Sequence, residues 1–239
     1  MAEFTELWRD GPLFAQAEHF KLSTDSVLLA NYVSLSGIRS GIDLGSASGF
    51  MPLSLMVRKK SLHMTGLEIL PEAGALAEEN YRINGLSDRG KSVTGDIRNV
   101  RSLFKSGSFD LVTANPPYFP QGTGPVSPDT GRAGARSEIS CSLEDICAAA
   151  EYLLHTGGSL YLVHKPERLA DVILAVSSHG MAVKRLRTVS SKWGRAPSLF
   201  LLEARRGGAS GMKLEAPLLL CNEDGSESEE YKKIYHREL

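Results

Sequence analysis

Four short apolar runs, each ending in polar residues, most constrain how this chain can fold. The runs cover residues 40–44, 62–68, 91–95 and 108–114. Helical patterns separate them, and strands that alternate with helices predict an α/β fold. The polar residues at their ends are Asp43 with the glycines after it, Glu68, Asp96 and Asn115. Because open α/β sheets bind ligands at the carboxyl ends of their strands, the pattern predicts one site built from all four ends.

The composition is that of one globular domain. Apolar residues make up 42% of the 239 residues, which is enough for one sizeable core. We predict a single domain over residues 1–222, in which residues 1–38 cover the site, and a polar tail over residues 223–239. The N-terminus is acidic, and no run approaches the roughly 20 apolar residues that span a bilayer. We therefore expect a cytoplasmic protein with no membrane partner.

The cysteines argue against disulfides and against a metal centre. Cys141, Cys147 and Cys221 are odd in number, lack paired spacing and have no cluster of histidines beside them. We expect three reduced thiols and no bound metal.

Capping residues mark the ends of two predicted helices. Residues 23–26 are Ser-Thr-Asp-Ser ahead of an apolar stretch, which predicts a helix start. Asp25 is then best explained as a charge near the N-terminus of that helix. Asn80 and Asn84 follow a helical segment that Pro71 opens, and we interpret both as residues of the helix end.

The first predicted strand runs into a glycine loop that a helix follows at once. Gly45 and Gly49 stand four positions apart, with Ser46 and Ala47 between them. A dinucleotide fingerprint would need G-x-G-x-x-G, so the spacing disfavours a pyrophosphate ligand. Together with Asp43, the loop suits a cofactor without phosphates that lies against bare backbone. An ordinary tight turn between strand and helix is the alternative.

Acidic residues end the next two strands. Glu68 follows Gly49 by 19 positions, where a carboxylate can accept from two ribose hydroxyls. Asp96 can accept from an adenine amino group while Ile97 covers the ring. The alternative for Asp96 is a cap on the helix that follows it.

The fourth strand ends in Asn115-Pro116-Pro117-Tyr118. Each proline fixes φ and removes a backbone N–H, so this turn is rich in acceptors and poor in donors. The Asn115 side-chain oxygen and the Pro116 carbonyl can accept the two hydrogens of a planar amino group, which aims the nitrogen lone pair outward. Tyr118 supplies a face on which a planar group stacks. The alternative is a stiff stop to the strand.

These motifs together resemble class I S-adenosylmethionine-dependent methyltransferases with an Asn-Pro-Pro-Tyr motif. Within that class, the chain is similar to the bacterial family that methylates adenine N6 beside the anticodon of a valine tRNA. The matching stretches cover residues 20–30, 43–49, 115–119 and 136–138. The resemblance implies S-adenosylmethionine as cofactor and a Rossmann-like, seven-stranded, mostly parallel sheet with an antiparallel C-terminal strand. Ala47 departs from the pattern, because many relatives carry glycine there.

The resemblance also implies tRNA or another structured RNA as partner. The formal net charge is −1, so phosphate contacts must be local. One candidate is the loop over residues 119–140, with Arg132 and Arg136; a segment disordered until substrate binds is the alternative. The other is residues 184–206, which hold seven Lys and Arg residues against one Glu. Solvated charge on edge strands explains that run equally well.

Three other functions use related features. Release-factor glutamine methylation uses the same turn, but its enzymes usually carry a helical domain ahead of the cofactor fold, for which 40 residues leave too little room. Guanine-N2 methylation of ribosomal RNA usually needs a duplicated domain. A non-catalytic scaffold that binds the cofactor would have no use for Asn115 and Tyr118. The sequence predicts no oligomeric state.

Overall fold

The computed structural model describes residues 3–16, 22–116 and 141–237. Its centre is a sheet that contains, within these residues, seven long strands and two short ones. A separate antiparallel hairpin, β1 (Thr5–Glu6) and β2 (Leu13–Phe14), precedes it. The long strands are β3 (Ser40–Leu44), β4 (His63–Glu68), β5 (Gly90–Thr94), β6 (Phe109–Ala114), β7 (Leu154–His164), β8 (Met181–Ser190) and β9 (Leu199–Arg206).

The order of the long strands across the sheet is β8-β9-β7-β6-β3-β4-β5. Neighbouring strands from β7 to β5 are parallel, and β9 is antiparallel to both β7 and β8. The predicted seven-stranded, mostly parallel sheet with an antiparallel strand near the C-terminus is therefore confirmed. Two short strands that the sequence did not reveal, β10 (Lys213–Leu214) and β11 (Leu218–Leu219), pair in parallel with β8.

Helices cover both faces of the sheet. They are α1 (Thr24–Tyr32), α2 (Phe50–Arg58), α3 (Pro71–Ile83), α4 (Val100–Leu103), α5 (Leu143–Leu153), α6 (Leu169–Ser178) and α7 (Glu229–Ile234). The cap of α1 is Ser23, whose hydroxyl accepts from the Ser26 N–H, and α3 begins at Pro71 as predicted. These two helices thus begin where the sequence supplies a suitable residue.

Buried side chains form two apolar clusters, one on each face of the sheet. Along β6, Leu111 belongs to the cluster with α1, α2 and α3, whereas Val112 belongs to the cluster with α4, α5 and α6. Successive side chains of a strand point to opposite faces, so a strand covered on both sides must be apolar at nearly every position. This burial explains why the central strands appear in the sequence as continuous apolar runs.

The C-terminal residues fold back onto the domain. The sequence predicts one or two helical turns there, and α7 is a helix of six residues. Tyr231, Ile234 and Tyr235 are partly buried against the cluster that contains α1. The predicted boundary between residues 222 and 223 stays a prediction.

Two further findings concern membranes and metals. No helix within the described ranges is long and apolar enough to cross a membrane. Among the same residues, no group of three or more His, Cys, Asp and Glu side chains could hold a metal ion. The three cysteines are free thiols.

Candidate active site

A cavity of about 530 Å³ opens at the carboxyl ends of β3, β4, β5 and β6. Nine of the predicted site residues line it: Asp43, Gly45, Ser46, Ala47, Glu68, Asp96, Ile97, Asn115 and Pro116. These residues are far apart in the chain, and the parallel strands bring them to one edge. The volume falls in the range of ordinary ligand sites. Pro117, Tyr118, Arg132 and Arg136 lie outside the described residues.

The glycine loop owes its shape to left-handed backbone conformations. Gly45, Ala47 and Gly49 have φ angles of 75°, 45° and 79°. The N–H groups of Gly45 and Ser46 both donate to the Leu67 carbonyl, at 2.9 and 3.1 Å, which ties the loop to β4. A residue with a side chain adopts positive φ only at a cost, so Ala47 stands in a conformation that favours glycine.

Gly49 does not line the cavity, unlike the other predicted loop residues. A Cβ atom at this position would meet the Tyr81 hydroxyl oxygen at 2.5 Å and the Ala77 Cβ at 2.8 Å. The structure therefore gives Gly49 a packing role, in which the start of α2 approaches α3 closely. This close approach and the left-handed φ both require glycine here, and the predicted contact of Gly49 with the cofactor stays a prediction.

Glu68 fixes the loop from the neighbouring strand. One of its carboxylate oxygens accepts from the Ala47 N–H at 2.8 Å and the other accepts from the Leu70 N–H at 3.0 Å. The residue is 5% exposed. Each carboxylate oxygen has two lone pairs, so both oxygens keep capacity for one further donor. The predicted acceptor for two ribose hydroxyls is thus also the residue that shapes the loop.

Asp43 is buried beneath the loop. Its carboxylate accepts from the Thr113 hydroxyl at 2.6 Å, between two strands that are neighbours in the sheet. Burial raises the pKa of Asp43 to about 7; the Thr113 hydrogen bond opposes this shift and the charge of Glu68 adds to it. A positive ligand beside Asp43 would favour the ionised form.

Asp96 both lines the cavity and caps the helix after it. Its carboxylate accepts from the Arg98 backbone N–H at 2.8 Å, at the start of the short 3-10 helix Ile97–Asn99, and it also pairs with the Arg98 guanidinium. These bonds to Arg98 lower the pKa of Asp96. The capping alternative for Asp96 is therefore realised. Its predicted role toward adenine stays a prediction.

Asn115 is held at the cavity wall by the start of α1. Its side-chain amide nitrogen donates to the Ser26 hydroxyl at 2.9 Å and to the Ser23 hydroxyl at 3.4 Å. Because the amide nitrogen donates to the two serines, the orientation of the Asn115 carboxamide is set. Its side-chain oxygen is the atom that can accept hydrogen bonds. Ser23 serves α1 at the same time, as the N-cap.

Sequence reasoning missed part of this wall. Asp25 lies in the first turn of α1, as expected, but it also lines the cavity, which the interpretation as a helix charge did not include. Phe14, Leu22, Ser23 and Ser26 line it too. The hydrogen bonds between α1 and Asn115 join residues 89 and 92 positions apart. No periodicity or spacing in one sequence signals such a pairing.

Asn80 and Asn84 hold the N-terminal segment over the site. Asn80 lies in the last turn of α3, as expected, but its side chain has a long-range role that the sequence did not predict. Asn80 is fully buried, and its amide exchanges hydrogen bonds of 2.8 Å with the Ala15 backbone while donating to the Ser48 carbonyl. Asn84 does end α3, and its amide pairs with the Leu13 backbone at 2.9 and 2.7 Å. The two side chains pin residues 13–15 to α3 beside the glycine loop.

The charge of the cavity is one-sided. Among the described residues that line it, four carry carboxylates and none is Lys, Arg or His. The acidic residues are Asp25, Asp43, Glu68 and Asp96. Such a lining favours a cation and opposes a phosphate-bearing ligand. S-adenosylmethionine, with its sulfonium and ammonium groups and no phosphate, fits this donor set and the open backbone of the loop.

Residues 184–206 do not form the expected basic surface as a whole. Arg185 pairs with Glu203 at 3.0 Å and with Glu215 at 2.9 Å, and Arg187 pairs with Glu230 at 2.6 Å. Two of these acids lie after position 206, so a count over the run overstates its charge. Half-buried arginines in such pairs are poor phosphate ligands, because binding would break the existing pairs.

The sheet order is that of the class I methyltransferase fold, and the acid-lined site lies at its carboxyl edge. In agreement, the crystal structure of a predicted O-methyltransferase from Agrobacterium tumefaciens has the same fold, with a TM-score of 0.71 over 89% of this chain and 96% of that chain at 20% identity. The model of the methyltransferase small domain matches residues 13–184, and the chain therefore belongs to that family. Its members take their methyl group from S-adenosylmethionine.

Two relatives show similarity over most of the chain. A tRNA1(Val) (adenine(37)-N6)-methyltransferase from Shewanella amazonensis is 32% identical over 186 residues, which are 78% of this chain and 78% of the relative. Another from Porphyromonas gingivalis is 31% identical over 191 residues, 77% of this chain and 74% of the relative. The resemblance to this family seen in the motifs is therefore confirmed.

Proposed function

We propose that this protein transfers the methyl group of S-adenosylmethionine to N6 of an adenine in tRNA, next to the anticodon. The observation that carries the proposal is the position of Asn115 and Pro116, two acceptor-bearing residues at the wall of a cavity lined by four carboxylates. The activity for which the relatives from Shewanella amazonensis and Porphyromonas gingivalis are named supports the same substrate.

The cofactor is held by charge and by backbone. Asp43 and Glu68 are buried at the cavity wall, where the low dielectric strengthens their attraction to a cation. Glu68 keeps one lone pair on each oxygen for the two ribose hydroxyls. The loop over residues 45–48 presents main chain to the ligand, with its shape set by the bond from Ala47 to Glu68. Bound S-adenosylmethionine supplies a methyl group on a sulfonium, which is already activated for transfer.

The target base is positioned by acceptors. The Asn115 side-chain oxygen and the Pro116 carbonyl each accept one hydrogen of the adenine amino group, which turns the nitrogen lone pair toward the methyl group. Ser23 and Ser26 keep the amide nitrogen of Asn115 away from the base by accepting its hydrogens. The nitrogen gains positive charge as it is methylated and then loses a proton to water, so no strong base is needed. Placement therefore accounts for most of the catalysis.

The substrate must present its base outside a stack. An adenine inside a helix or a stacked loop cannot reach Asn115, so the nucleotide is flipped into the site. Flipping costs least in a loop that is already single-stranded, which favours an anticodon loop over a duplex. Tyr118 is proposed to stack on the flipped base, in the segment that follows Pro116.

The test is to offer three acceptors with S-adenosylmethionine that carries an isotopically labelled methyl group. The acceptors are unmodified tRNA, ribosomal RNA and a peptide with the release-factor glutamine. Mass spectrometry of digested products is expected to find the label in N6-methyladenosine from tRNA. Label in guanosine, or in the glutamine of the peptide, would overturn the proposal in favour of the corresponding alternative.

A further inference from the structure

The basic residues of the 184–206 run divide between the two edges of the sheet. Strand β8 begins opposite the end of β9 and runs parallel to β6, so residues 184, 185, 205 and 206 lie toward the amino edge. They are also engaged: besides the pairs of Arg185, Arg205 lies 3.5 Å from Glu203, Lys184 donates to the Ala209 carbonyl and Arg206 donates to the Leu154 carbonyl. Because their side chains already have partners, these four residues are poor candidates for phosphate contacts.

The loop between β8 and β9, residues 191–198, lies at the other edge. Because β8 and β6 run in the same direction, the end of β8 and the end of β6 share the carboxyl edge, where Asn115 stands. Only β9 and β7 separate the two strands in the sheet. Through β7 and β9, Ala114 is level with Leu186, so the loop begins four or more residues farther along the strand direction than Asn115. At 4.7–4.9 Å between neighbouring strands and about 3.3 Å per residue, the loop is roughly 20 Å or more from the active-site turn.

The loop presents one large aromatic ring between two cations. Trp193 is 70% exposed, Arg195 is exposed and Lys192 is partly exposed. Within the described residues, neither Lys192 nor Arg195 makes a side-chain hydrogen bond or ion pair, in contrast to the five other basic residues of the run. The apolar surface of this tryptophan is exposed on the single chain and is buried only when a partner covers it.

The loop has a fixed base, which gives the backbone at Trp193 a defined position. The Arg195 N–H donates to the Lys192 carbonyl at 3.2 Å, and Gly194 supplies the φ of 74° that this turn requires. Below the turn, the Ser198 N–H donates to the Val189 carbonyl at 2.8 Å, and the Cys221 N–H donates to the Ser191 carbonyl at 2.8 Å. A rigid platform loses little entropy when a ligand stacks on it.

We propose that Trp193 is a stacking platform for an unpaired base of the tRNA anticodon loop, and that Lys192 and Arg195 contact the phosphates beside that base. The partner follows from the chemistry: a flat, exposed ring flanked by unpaired cations fits a single-stranded polyanion with planar bases. The inference rests on the proposed function and names the surface that brings the tRNA to the site. RNA contact, which the sequence assigned to the whole 184–206 run, is thereby assigned to the loop over residues 191–198.

The first experiment replaces the ring. Trp193→Ala is expected to raise the KM for tRNA by ~10-fold or more, since stacking of one base is worth about 1–3 kcal/mol. The S-adenosylmethionine affinity should be unchanged, and Trp193→Phe should recover most of the tRNA affinity. Leu174→Ala on α6 is the matched control, because Leu174 is an apolar side chain of almost the same exposure, 69%.

The second experiment removes the charges. Lys192→Ala combined with Arg195→Ala should weaken tRNA binding and lower the slope of log affinity against log salt by about 0.7 to 0.9 for each phosphate that is no longer neutralised. Lys105→Ala is the control, since Lys105 is exposed in the segment before β6, at the amino edge.

Direct binding of tRNA, measured without methyl transfer, separates this inference from the proposed function. If wild-type protein methylates tRNA and the loop variants match Leu174→Ala and Lys105→Ala in affinity and salt slope, the platform is wrong and the function stands. If wild-type protein binds tRNA but does not methylate it, the function fails, and the loop variants still decide the platform through their binding.

Discussion

The two edges of the sheet carry cavities of nearly equal volume and different electrostatic character. The cavity at the carboxyl edge, about 530 Å³, has only acids among its charged described residues, whereas a cleft of about 520 Å³ at the amino edge mixes acids with bases. In that cleft Glu203 pairs with Arg185, and Asp110 accepts from His155 at 2.9 Å and from the backbone of Arg39 and Ser40. Volume therefore does not distinguish a binding site from a structural cleft here; charge balance does.

The difference lies in how the acids are partnered: at the carboxyl edge Asp96 pairs with Arg98, whereas Asp43 and Glu68 accept from neutral donors. At the amino edge Glu203 and Asp110 have basic partners, which offset the cost of removing them from water. At the carboxyl edge, Asp43 accepts from the neutral hydroxyl of Thr113, which is its side-chain partner among the described residues. An acid without a cation is an electrostatic cost to the folded protein, and a cationic ligand removes that cost. The site is prepared for its cofactor at some expense of stability.

The largest expected effects come from two variants at the carboxyl edge, one that impairs methyl transfer and one that impairs cofactor binding. Asn115→Ala should lower the rate of methyl transfer at least ~100-fold, because the amine loses an acceptor that places it. Its S-adenosylmethionine affinity should stay close to wild type. Glu68→Ala should weaken S-adenosylmethionine binding by about 10-fold or more, since hydrogen bonds to a charged group are worth about 1.5–3 kcal/mol each. Calorimetry and single-turnover transfer measure the two quantities.

A variant at the amino edge is the control for this separation. Asp110→Asn should lower the free energy of unfolding, because the carboxylate holds His155 and two backbone N–H groups. It should leave cofactor affinity and transfer rate unchanged. The distinction between the edges would be lost if Asn115→Ala and Glu68→Ala weakened cofactor binding equally. It would also be lost if Asp110→Asn lowered the rate of methyl transfer.

A second prediction uses pH, because the two edges should respond with opposite sign. The folded-state pKa of Asp43 is raised from 3.8 to about 7, so its stabilising contribution is complete below about pH 4 and is lost as pH rises through about 7. Burial raises the pKa of Asp110, but hydrogen bonds from Arg39, Ser40 and His155 outweigh it and the net pKa is lowered. Its contribution is present above about pH 4 and is lost as pH falls.

Unfolding by denaturant at several pH values measures both slopes. The stability of wild type relative to Asp43→Asn should fall between about pH 4 and about pH 7, by at most about 1.4 kcal/mol per pH unit. The stability relative to Asp110→Asn should rise with pH in the acidic range. Saturating S-adenosylmethionine should reduce the first slope and leave the second alone. Slopes of the same sign would contradict the assignment of charge states.

The smallest expected effect concerns backbone strain in the glycine loop. Ala47→Gly should stabilise the protein by about 1 kcal/mol or less, because relief of a left-handed residue gains about 1–2 kcal/mol and glycine loses about 0.5–1 kcal/mol in chain entropy. Thermal unfolding measures this change. Gly37→Ala offers the contrast: Gly37 has a φ of 76° outside the loop, and alanine there should destabilise. A loss of stability in Ala47→Gly would show that the positive φ is not strained.

Much of the fold and part of the site could be predicted because their signals are local. The strands of the core are apolar at nearly every position, and the polar residues stand at or directly after their ends, as Glu68 does at the end of β4. Parallel strands then bring those ends together without further information. The long parallel strands and nine of the lining residues follow from these two facts.

The rest depends on contacts between distant segments. Ser26 reaches Asn115 across 89 positions, and Asn80 reaches Ala15 across 65. Arg185 meets Glu215 across 30 positions, which is why the charge of residues 184–206 appeared larger in the sequence than it is in the fold. Strands β10 and β11 have two residues each, too few for a periodic pattern. Long-range pairings of single polar side chains leave no mark on local sequence.

Hydrogen bonds accepted from an exocyclic amine at the carboxyl edge can be tested by one change in the RNA. Transfer from labelled S-adenosylmethionine is compared between tRNA with adenine at the target position and the same tRNA with inosine there, whose ring carries a carbonyl in place of the amine. We expect labelled N6-methyladenosine in the adenine-containing tRNA. We expect no transfer to the inosine-containing tRNA, even where both RNAs bind equally. Methylation of the inosine-containing RNA at that position would contradict this expectation.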